Sequence, residues 1–352
     1  MTFRELPPPP FHDPASAARW SHRPDERRLQ EEAVAWREAH RIRPAAEDAL
    51  DLHLLLVDEQ RDFCLPEGTL FVGGRSGTGA VDDTRRLVAW IYRNLAHLTR
   101  ITATLDTHVA YQIFFAPFWV DGAGRPLAPH RTVTAAEVRA GDARPAPEVA
   151  AWLAGGDEAW LRAEVLHYVE ALEREGKYRL YLWPPHCLAG GEGHALVGAV
   201  QEARLFQAWV RQVQGWTEAK GSNPLSENYS ALRPEVLRHH DGTPLAGRNP
   251  RLLDALLSSG ALVVAGQAAS HCVKSTLEDL LDEIRARDPA LAGRVYVLAD
   301  CTSAVAVPDG RGGFLADFTP EAEAALERFR AAGMHLVTAG QPLGSWPGLA
   351  AR

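Results

Sequence analysis

A cysteine at the start of a predicted helix is the residue of this chain best placed to act as a nucleophile. Cys272 follows an apolar run and a turn of small residues, in the segment 264–272 (VAGQAASHC). The positive end of a helix dipole favours the thiolate, which is the reactive form of cysteine. A lone buried cysteine is also a common structural residue, so the assignment depends on what other segments contribute.

A carboxylate and a lysine supply the residue types that assist a catalytic thiol. Asp58 directly follows the apolar run 52–57, at the carboxyl end of a predicted strand, where ligands bind in open α/β sheets. Poor solvation there raises the pKa of a carboxyl group and suits it to accept a proton, although a carboxylate that caps the next loop fits equally well. Lys220 would lower the pKa of a nearby thiol, whereas most lysines lie exposed on the surface.

Three side chains have the types and spacing of metal ligands. Asp106 and His108 follow the predicted strand 101–105, and residues two apart in an extended chain point the same way. His186 follows a rigid proline turn. An Asp-His-His set with an open position suits Zn²⁺, Mn²⁺ or Fe²⁺. Cys187 is a rival soft ligand, but a small buried residue that points away from His186 fits it better.

The elements that must position these residues alternate between strands and helices. Continuous apolar runs predict buried parallel strands, and apolar residues at helical spacing predict the helices between them. We therefore expect an α/β fold with a doubly wound, mostly parallel sheet and helices on both faces. The predicted strands cover 52–57, 101–105, 262–265, 295–298 and 335–337, and the predicted helices cover 25–42, 81–98, 273–284 and 320–332.

Two segments lie outside this alternation. Residues 1–48 contain a run of four prolines and a charged surface helix, and form a predicted N-terminal appendage to a domain over 49–352. Residues 109–180 form a predicted insertion that flanks the site or makes a subunit contact. Within it, Thr134 and Glu137 match a capping box, and 157–175 predicts an amphipathic helix.

Composition narrows the class of protein. The chain has 352 residues, of which 46% are hydrophobic and 23% charged, with a formal net charge of -8. This charge argues against a nucleic-acid partner, and no apolar stretch reaches the roughly 18 residues of a membrane helix. The N-terminus lacks a hydrophobic signal core, and four scattered cysteines suit a reducing compartment. We expect a cytoplasmic protein without membrane partners.

Two other motifs are set aside. The glycine-rich stretch 74–81 lacks the Lys-Ser/Thr pair of a phosphate loop and is interpreted as the loop before a helix. The cluster 239–241 (HHD) lies in a polar, turn-rich stretch, which favours a solvated loop over a metal site.

Taken in order, these segments resemble those of the nicotinamidase and isochorismatase-like cysteine hydrolases. Each motif alone is weak, but their shared order is specific, and the resemblance spans about 52–337 with the insertion excluded. The matching segments are 57–63 (VDEQRDF), 104–108 (TLDTH), 183–187 (WPPHC), 220–221 (KG) with 229–231 (YSA), and 266–272 (GQAASHC).

The resemblance implies a role for each matching residue. Cys272 would be the nucleophile, Asp58 the proton acceptor and Lys220 the third member of the triad. A divalent metal, with zinc the first expectation, would bind to the set Asp106, His108 and His186. Phe63 and Trp183 would flank a planar substrate ring.

The resemblance also implies the geometry of the nucleophile turn. Backbone N–H groups of Ala268 and Cys272 would form the oxyanion hole. A cis peptide bond is expected between Gln267 and Ala268. The chain departs from the family pattern at 110–114 (AYQIF) and at Ser270-His271, and it is longer than a typical member.

The implied activity is hydrolysis of a small, planar, heteroaromatic carboxamide to acid and ammonia, in a homo-oligomeric enzyme. One alternative is a hydrolase of the same fold that acts on a ureido or carbamoyl compound. A second is a non-catalytic binding or scaffold protein that keeps the fold. A third is a metal-dependent hydrolase in which Cys272 takes no part.

Overall fold

The computed structural model describes residues 3–175 and 178–350. Its strands are β1 (Leu52–Val57), β2 (Arg100–Asp106), β3 (Trp119–Val120), β4 (Arg131–Val133), β5 (Arg144–Pro145), β6 (Leu180–Leu182), β7 (Trp216–Lys220), β8 (Ala261–Gly266), β9 (Val295–Leu298), β10 (Ala306–Pro308), β11 (Phe314–Asp317) and β12 (His335–Val337). Its α-helices are α1 (Glu26–His40), α2 (Arg61–Cys64), α3 (Gly79–Arg93), α4 (Ala135–Ala140), α5 (Pro147–Leu153), α6 (Glu158–Glu175), α7 (Gly198–Arg211), α8 (Pro250–Leu257), α9 (Cys272–Arg287) and α10 (Thr319–Ala331).

Within these residues the central layer is a six-stranded sheet in the order β12-β9-β8-β1-β2-β7. Every neighbouring pair in it is parallel, which confirms the predicted doubly wound sheet. Strands β1, β8 and β9 are buried along their whole length, as their continuous apolar runs predict. The strand order reverses between β1 and β8, so a ligand site is expected at their carboxyl ends.

The two faces of the sheet carry separate helical layers. Side chains of a strand alternate between faces, so Leu54 and Leu56 pack into one core, which includes side chains of α3 and α7. Leu55 and Val57 pack into the other core, which includes side chains of α8, α9 and α10. Gly266 lets β8 end against β1, because its φ is +121° and a Cβ there would lie 2.0 Å from the carbonyl oxygen of Val57.

The predicted elements of the sheet layer are present, with shifted ends. The helix predicted over 81–98 ends at Arg93, where Asn94 caps it by donating its side-chain amide to the carbonyl of Trp90 at 2.9 Å. Leu95 and Leu98 remain buried beyond that end, which explains why the apolar periodicity continues. Strand β7 was not predicted, because an edge strand that is half exposed lacks a continuous apolar run.

The N-terminal segment and the insertion pack against the same core as the sheet. Leu6 and Leu29 from the first and Val165 and Tyr168 from the second all belong to that core. The insertion contains the two-stranded sheets β3–β5 and β4–β6, the predicted capping box at the start of α4 and the predicted helix α6. Among the described residues no helix is both long and apolar enough to cross a membrane.

Candidate active site

The candidate catalytic side chains meet at the carboxyl edge of the central sheet. Asp58 follows β1, Asp106 ends β2, Lys220 ends β7, and Cys272 opens α9 after the turn that follows β8. Because these strands are neighbours, residues that lie far apart in the chain come together. All four are at most 6% exposed, so their mutual interactions take place away from bulk water.

Lys220 lies at the centre of this group. Its Nζ is 2.9 Å from Oδ2 of Asp58 and 3.6 Å from Sγ of Cys272. It also pairs with Oδ1 of Asp106 and donates to the backbone carbonyl of Asn228 at 2.8 Å. Both carboxylates and the thiol lie within 4.8 Å of one another, and the ammonium group supplies the cation that such a cluster needs.

The environment of Cys272 favours the protonated form of its thiol. Burial raises the pKa of Cys272 well above its ordinary value, Lys220 opposes that rise, and the two carboxylates add to it. Lys220 thus acts on the pKa of Cys272 in the predicted direction, but burial of the sulfur has the larger effect and favours the protonated thiol. A base must remove the proton when the sulfur reacts.

Asp58 is placed to be that base. Burial raises the pKa of Asp58, as its position at the end of a buried strand predicts, while Lys220 and Thr104 oppose the rise. The Thr104 hydroxyl donates to Oδ1 of Asp58 at 2.5 Å and accepts from the backbone N–H of Asp58 at 3.1 Å. These contacts fix a residue whose φ of +49° is uncommon for a non-glycine side chain.

Asp106, His108 and His186 form a buried group with the spacing of a metal site. One ligand atom from each lies within 4.8 Å of the other two, and Oδ2 of Asp106 is 3.3 Å from Nε2 of His108. Cys187 does not belong to this group. Its backbone N–H donates to Asp62 at 2.7 Å.

In both histidines of this group, a hydrogen bond to a backbone carbonyl fixes which ring nitrogen carries the proton. Nδ1 of His108 donates to the carbonyl of Gly221 at 3.0 Å, and Nδ1 of His186 donates to the carbonyl of Pro184 at 2.9 Å. With Nδ1 as the donor, the neutral form of each ring has its lone pair on Nε2. Burial acts to lower the pKa of His108, but Asp106 outweighs burial and raises it, so a metal at Nε2 would compete with a proton. Backbone acceptors that orient ligand histidines in this way are usual around protein-bound metals.

The charges of this group also suit a divalent cation. Burial lowers the pKa of His186 to about 3, so that ring is neutral. Burial acts to raise the pKa of Asp106, but Lys220 and His108 together hold it below its ordinary value. A neutral imidazole and an ionised carboxylate are the forms that bind a metal.

The nucleophile turn contains the predicted cis peptide bond between Gln267 and Ala268. The Gln267 side chain is held from two sides, because it donates to Asp83 at 3.0 Å and accepts from the backbone N–H of Ser303 at 3.2 Å. Within the described part of the chain, the backbone N–H groups of Ala268 and Cys272 have no assigned acceptor. They are free to receive an oxyanion.

Phe63 and Trp183 lie beside the metal-type group and the nucleophile turn, respectively. The Phe63 ring centroid is 5.3 Å from that of His186, and the Trp183 centroid is 5.3 Å from that of His271. The indole N–H of Trp183 donates to the hydroxyl of Tyr229 at 2.9 Å, which fixes the plane of the ring.

The sequence did not reveal three further residues of the site. Tyr178, at the end of the insertion, donates to the carbonyl of Ser270 at 3.2 Å, and Phe318 packs edge-on against His271 at 4.8 Å. Glu227 lies buried near the metal-type group, where burial raises the pKa of its carboxyl to about 8. None of them belongs to a recognisable motif, so only the tertiary structure brings them to the site.

The comparisons with known proteins come from solved structures, since no family model and no curated protein matches the chain. The yeast nicotinamidase bound to the inhibitor nicotinaldehyde is 18% identical, with 82% of this chain and 99% of that chain covered and a TM-score of 0.49. The nicotinamidase/pyrazinamidase of Acinetobacter baumanii is 17% identical, with coverages of 83% and 98% and a TM-score of 0.44.

The pyrazinamidase of Pyrococcus horikoshii in complex with zinc is 19% identical, with coverages of 82% and 99% and a TM-score of 0.38. The chain is similar to solved nicotinamidases. At these identities the similarity describes an overall arrangement and assigns no role to a residue, so the roles are argued from the geometry of the site.

Proposed function

We propose that this protein is a metal-containing cysteine amidohydrolase that converts a small planar carboxamide to its acid and ammonia. The observation that carries the proposal is the buried contact of one ammonium group with a carboxylate at 2.9 Å and a thiol at 3.6 Å, beside a separate Asp-His-His group. A nucleophile, a base and a fixed positive charge are the parts that thiol hydrolysis of an amide requires.

In the first half of the reaction, Asp58 takes the proton of Cys272 as the sulfur attacks the amide carbon. The C–S bond forms and the carbonyl electrons move to oxygen, where the N–H groups of Ala268 and Cys272 stabilise the charge. One such donor contributes roughly 2.7–4 kcal/mol to lowering the barrier. The C–N bond then breaks, and protonated Asp58 gives its proton to the leaving nitrogen, which departs as ammonia.

In the second half, water hydrolyses the thioester. Asp58 accepts a proton from the attacking water, the C–S bond breaks, and the proton returns to the sulfur of Cys272. Lys220 keeps its positive charge throughout and stabilises whichever of the two groups is ionised. Burial lowers the pKa of Lys220, but the carboxylates of Asp106 and Asp58 outweigh this effect and hold the pKa well above its usual range.

The metal would be held by Asp106, His108 and His186, with zinc favoured by the ligand types. A divalent cation there would supply a Lewis acid that orients the substrate beside Cys272. Phe63 and Trp183 would hold the ring of the substrate, and Tyr178 and Phe318 would close the wall that is particular to this chain.

Ammonia release from nicotinamide, pyrazinamide and benzamide by zinc-loaded protein tests the proposal. We expect release by the wild type, a loss of at least a thousandfold in Cys272→Ala, and near wild-type rates in Cys301→Ala. Cys301 is a matched control because it is also a buried free cysteine but lies outside the site.

Release that persists in Cys272→Ala would contradict the thiol mechanism and favour metal-dependent hydrolysis. No release from any carboxamide, with a ureido or carbamoyl compound consumed instead, would contradict the substrate class but keep the thiol chemistry. No turnover of any of them would favour the binding-protein alternative. Circular dichroism of each variant would show whether the fold is retained.

A further inference from the structure

A cavity lies outside the candidate active site. Its volume is about 650 Å³, within the range of small-molecule sites in proteins. Its walls come from the N-terminal segment, the loop 190–196, the start of α7 and the edge of the sheet at β7. We call it the arginine cleft, because Arg23, Arg61 and Arg204 all line it.

Two of these arginines have no carboxylate partner within the described part of the chain. Arg61 is 3% exposed, and its guanidinium donates only to the carbonyls of Leu196 at 3.4 Å and His22 at 3.3 Å. Arg204 donates to Gln201 at 3.3 Å, to the carbonyl of Trp216 and to the hydroxyl of Thr217 at 2.8 Å. Nη1 of Arg61 and Nη2 of Arg204 donate to no protein acceptor among these residues.

The third arginine and the acidic residues do not neutralise this charge. Arg23 pairs with Glu192 at 3.0 Å, and Glu192 also accepts from the indole N–H of Trp20 at 3.0 Å. Glu26 is the second acid in the lining and stands in the first turn of α1, where the helix dipole stabilises a negative charge. Three arginines against two glutamates leave the lining with a net positive charge.

The environment penalises these positive charges. Burial lowers the pKa of both Arg61 and Arg204, and for Arg204 no acid opposes that effect. Arg61 is buried and Arg204 is half-buried, so the lack of a counterion costs more at Arg61, and an anion that enters the cleft would relieve this cost. The planar guanidinium fork matches a phosphate group.

We propose that the arginine cleft binds a small phosphate-bearing molecule between Arg61 and Arg204. The cleft is larger than a phosphate ion needs, and Leu105, Leu196 and Pro24 give part of its wall an apolar character suited to an organic body. The N-terminal segment, which supplies Arg23 and Pro24, is thereby part of a binding site.

Isothermal titration calorimetry of the full chain with inorganic phosphate, AMP and adenosine tests this proposal, in chloride buffer of matched ionic strength. We expect saturable binding of phosphate or AMP but not of adenosine, weakened at least tenfold in Arg204→Gln. Tighter binding of AMP than of phosphate would assign the ligand to nucleotides, and equal affinities would assign it to free phosphate.

Two further variants test whether weaker binding by Arg204→Gln reflects loss of the guanidinium site and not a general change of structure or charge. Thr217→Asp gives Arg204 an internal carboxylate while keeping the guanidinium, and should weaken binding as much as Arg204→Gln. Arg248→Gln changes the net charge equally at an arginine that pairs with Glu283 at 3.0 Å, and should bind like the wild type. Absence of saturable binding, or equal weakening by Arg248→Gln, would overturn the proposal.

Discussion

At the residue scale, Lys220 links the two halves of the candidate site. Its ammonium group contacts Asp58 and Cys272 on one side and Asp106 of the metal-type group on the other. Two buried carboxylates this close can both be ionised only if a cation lies between them. The lysine therefore contributes to the stability of the fold as well as to the proposed chemistry.

The variant Lys220→Met measures how much this lysine contributes to the stability of the fold. Removal of one partner from a buried charge cluster typically costs about 3–5 kcal/mol, because the remaining charges are left uncompensated. We expect a loss of that order at pH 7, measured by urea denaturation. The loss should be smaller at pH 5, because protonation of a carboxylate removes the repulsion.

Lys274→Met is the matched control for this prediction. The ammonium of Lys274 lies 4.3 Å from the ring centroid of Tyr178, and a cation–π contact of this kind contributes about 0.5–2 kcal/mol, less than the buried charge cluster around Lys220. If both variants lost the same free energy of unfolding, the charge cluster around Lys220 would not be the stabilising feature that its contacts indicate.

The zinc content of the protein tests whether Asp106, His108 and His186 bind a metal. We expect one zinc ion per chain after dialysis of the loaded wild type, and less than a tenth of that in His186→Ala, because two ligands hold zinc poorly. His130→Ala is the control, since His130 is near Trp183 but outside the group. Atomic emission measures the bound metal, and full retention by His186→Ala would contradict the site.

Several of the residues that sequence analysis found follow recognisable strands. Asp58, Asp106 and Cys272 are placed by runs whose apolar pattern is visible in the sequence. Glu227 and Tyr178 lie in connecting segments without such a pattern, and reach the site only through long-range packing. The pKa of the thiol could not be predicted either, because desolvation depends on the finished fold.

At the element scale, the corner of β1, α2 and α3 encloses an acid that the proposed reaction does not use. Glu59 is fully buried, with the thiol of Cys64 at 3.6 Å and the hydroxyl of Thr84 at 3.2 Å as its partners. Burial, reinforced by Asp83, raises the pKa of Glu59 from 4.5 to about 8. The folded protein thus keeps this acid neutral at pH 7.

This pKa predicts the direction of a pH effect on stability. Between about pH 4.5 and 8 the folded chain holds a proton on Glu59 that the unfolded chain has lost. Stability must therefore fall as pH rises through this window, by up to about 1.4 kcal/mol per pH unit from this group. We expect Glu59→Gln, which cannot ionise, to lack this contribution.

Urea denaturation at pH 5, 6.5 and 8 measures the effect. The stability of Glu59→Gln relative to the wild type should increase with pH, whereas Glu148→Gln, at an exposed glutamate of α5, should follow the wild type throughout. A constant difference between Glu59→Gln and the wild type would mean that Glu59 titrates alike in the folded and unfolded states.

The elements themselves were predictable to different degrees. Strands β1 and β9 match their predicted bounds because their side chains are buried and mostly apolar, with His53 as a buried polar residue in β1. Strand β7 carries Lys220 at an edge, where alternate residues contact solvent, so only the motif located that lysine. Edge strands are thus the strands of such a sheet that the apolar pattern of the sequence predicts least well.

At the scale of the whole molecule, the insertion contributes to the candidate active site and the N-terminal segment contributes to the arginine cleft. The hydroxyl of Tyr178, from the end of the insertion, bonds to Ser270 and Ser275 on either side of Cys272. The N-terminal segment closes the arginine cleft through Arg23. Each addition therefore contributes to a site as well as to the core.

Because the N-terminal segment shares a core with the central sheet, we expect the two to unfold together. Leu29 of α1 is buried, and truncation of a buried leucine costs about 2–5 kcal/mol. We expect Leu29→Ala to lower the stability of the entire chain by that amount, in one transition seen alike by tryptophan fluorescence and circular dichroism. Arg27→Ala, at an exposed position of the same helix, should change it by less than about 0.5 kcal/mol. A separate early transition in Leu29→Ala would instead show that residues 1–48 unfold alone, and the arginine cleft would then lose its N-terminal wall before the central sheet unfolds.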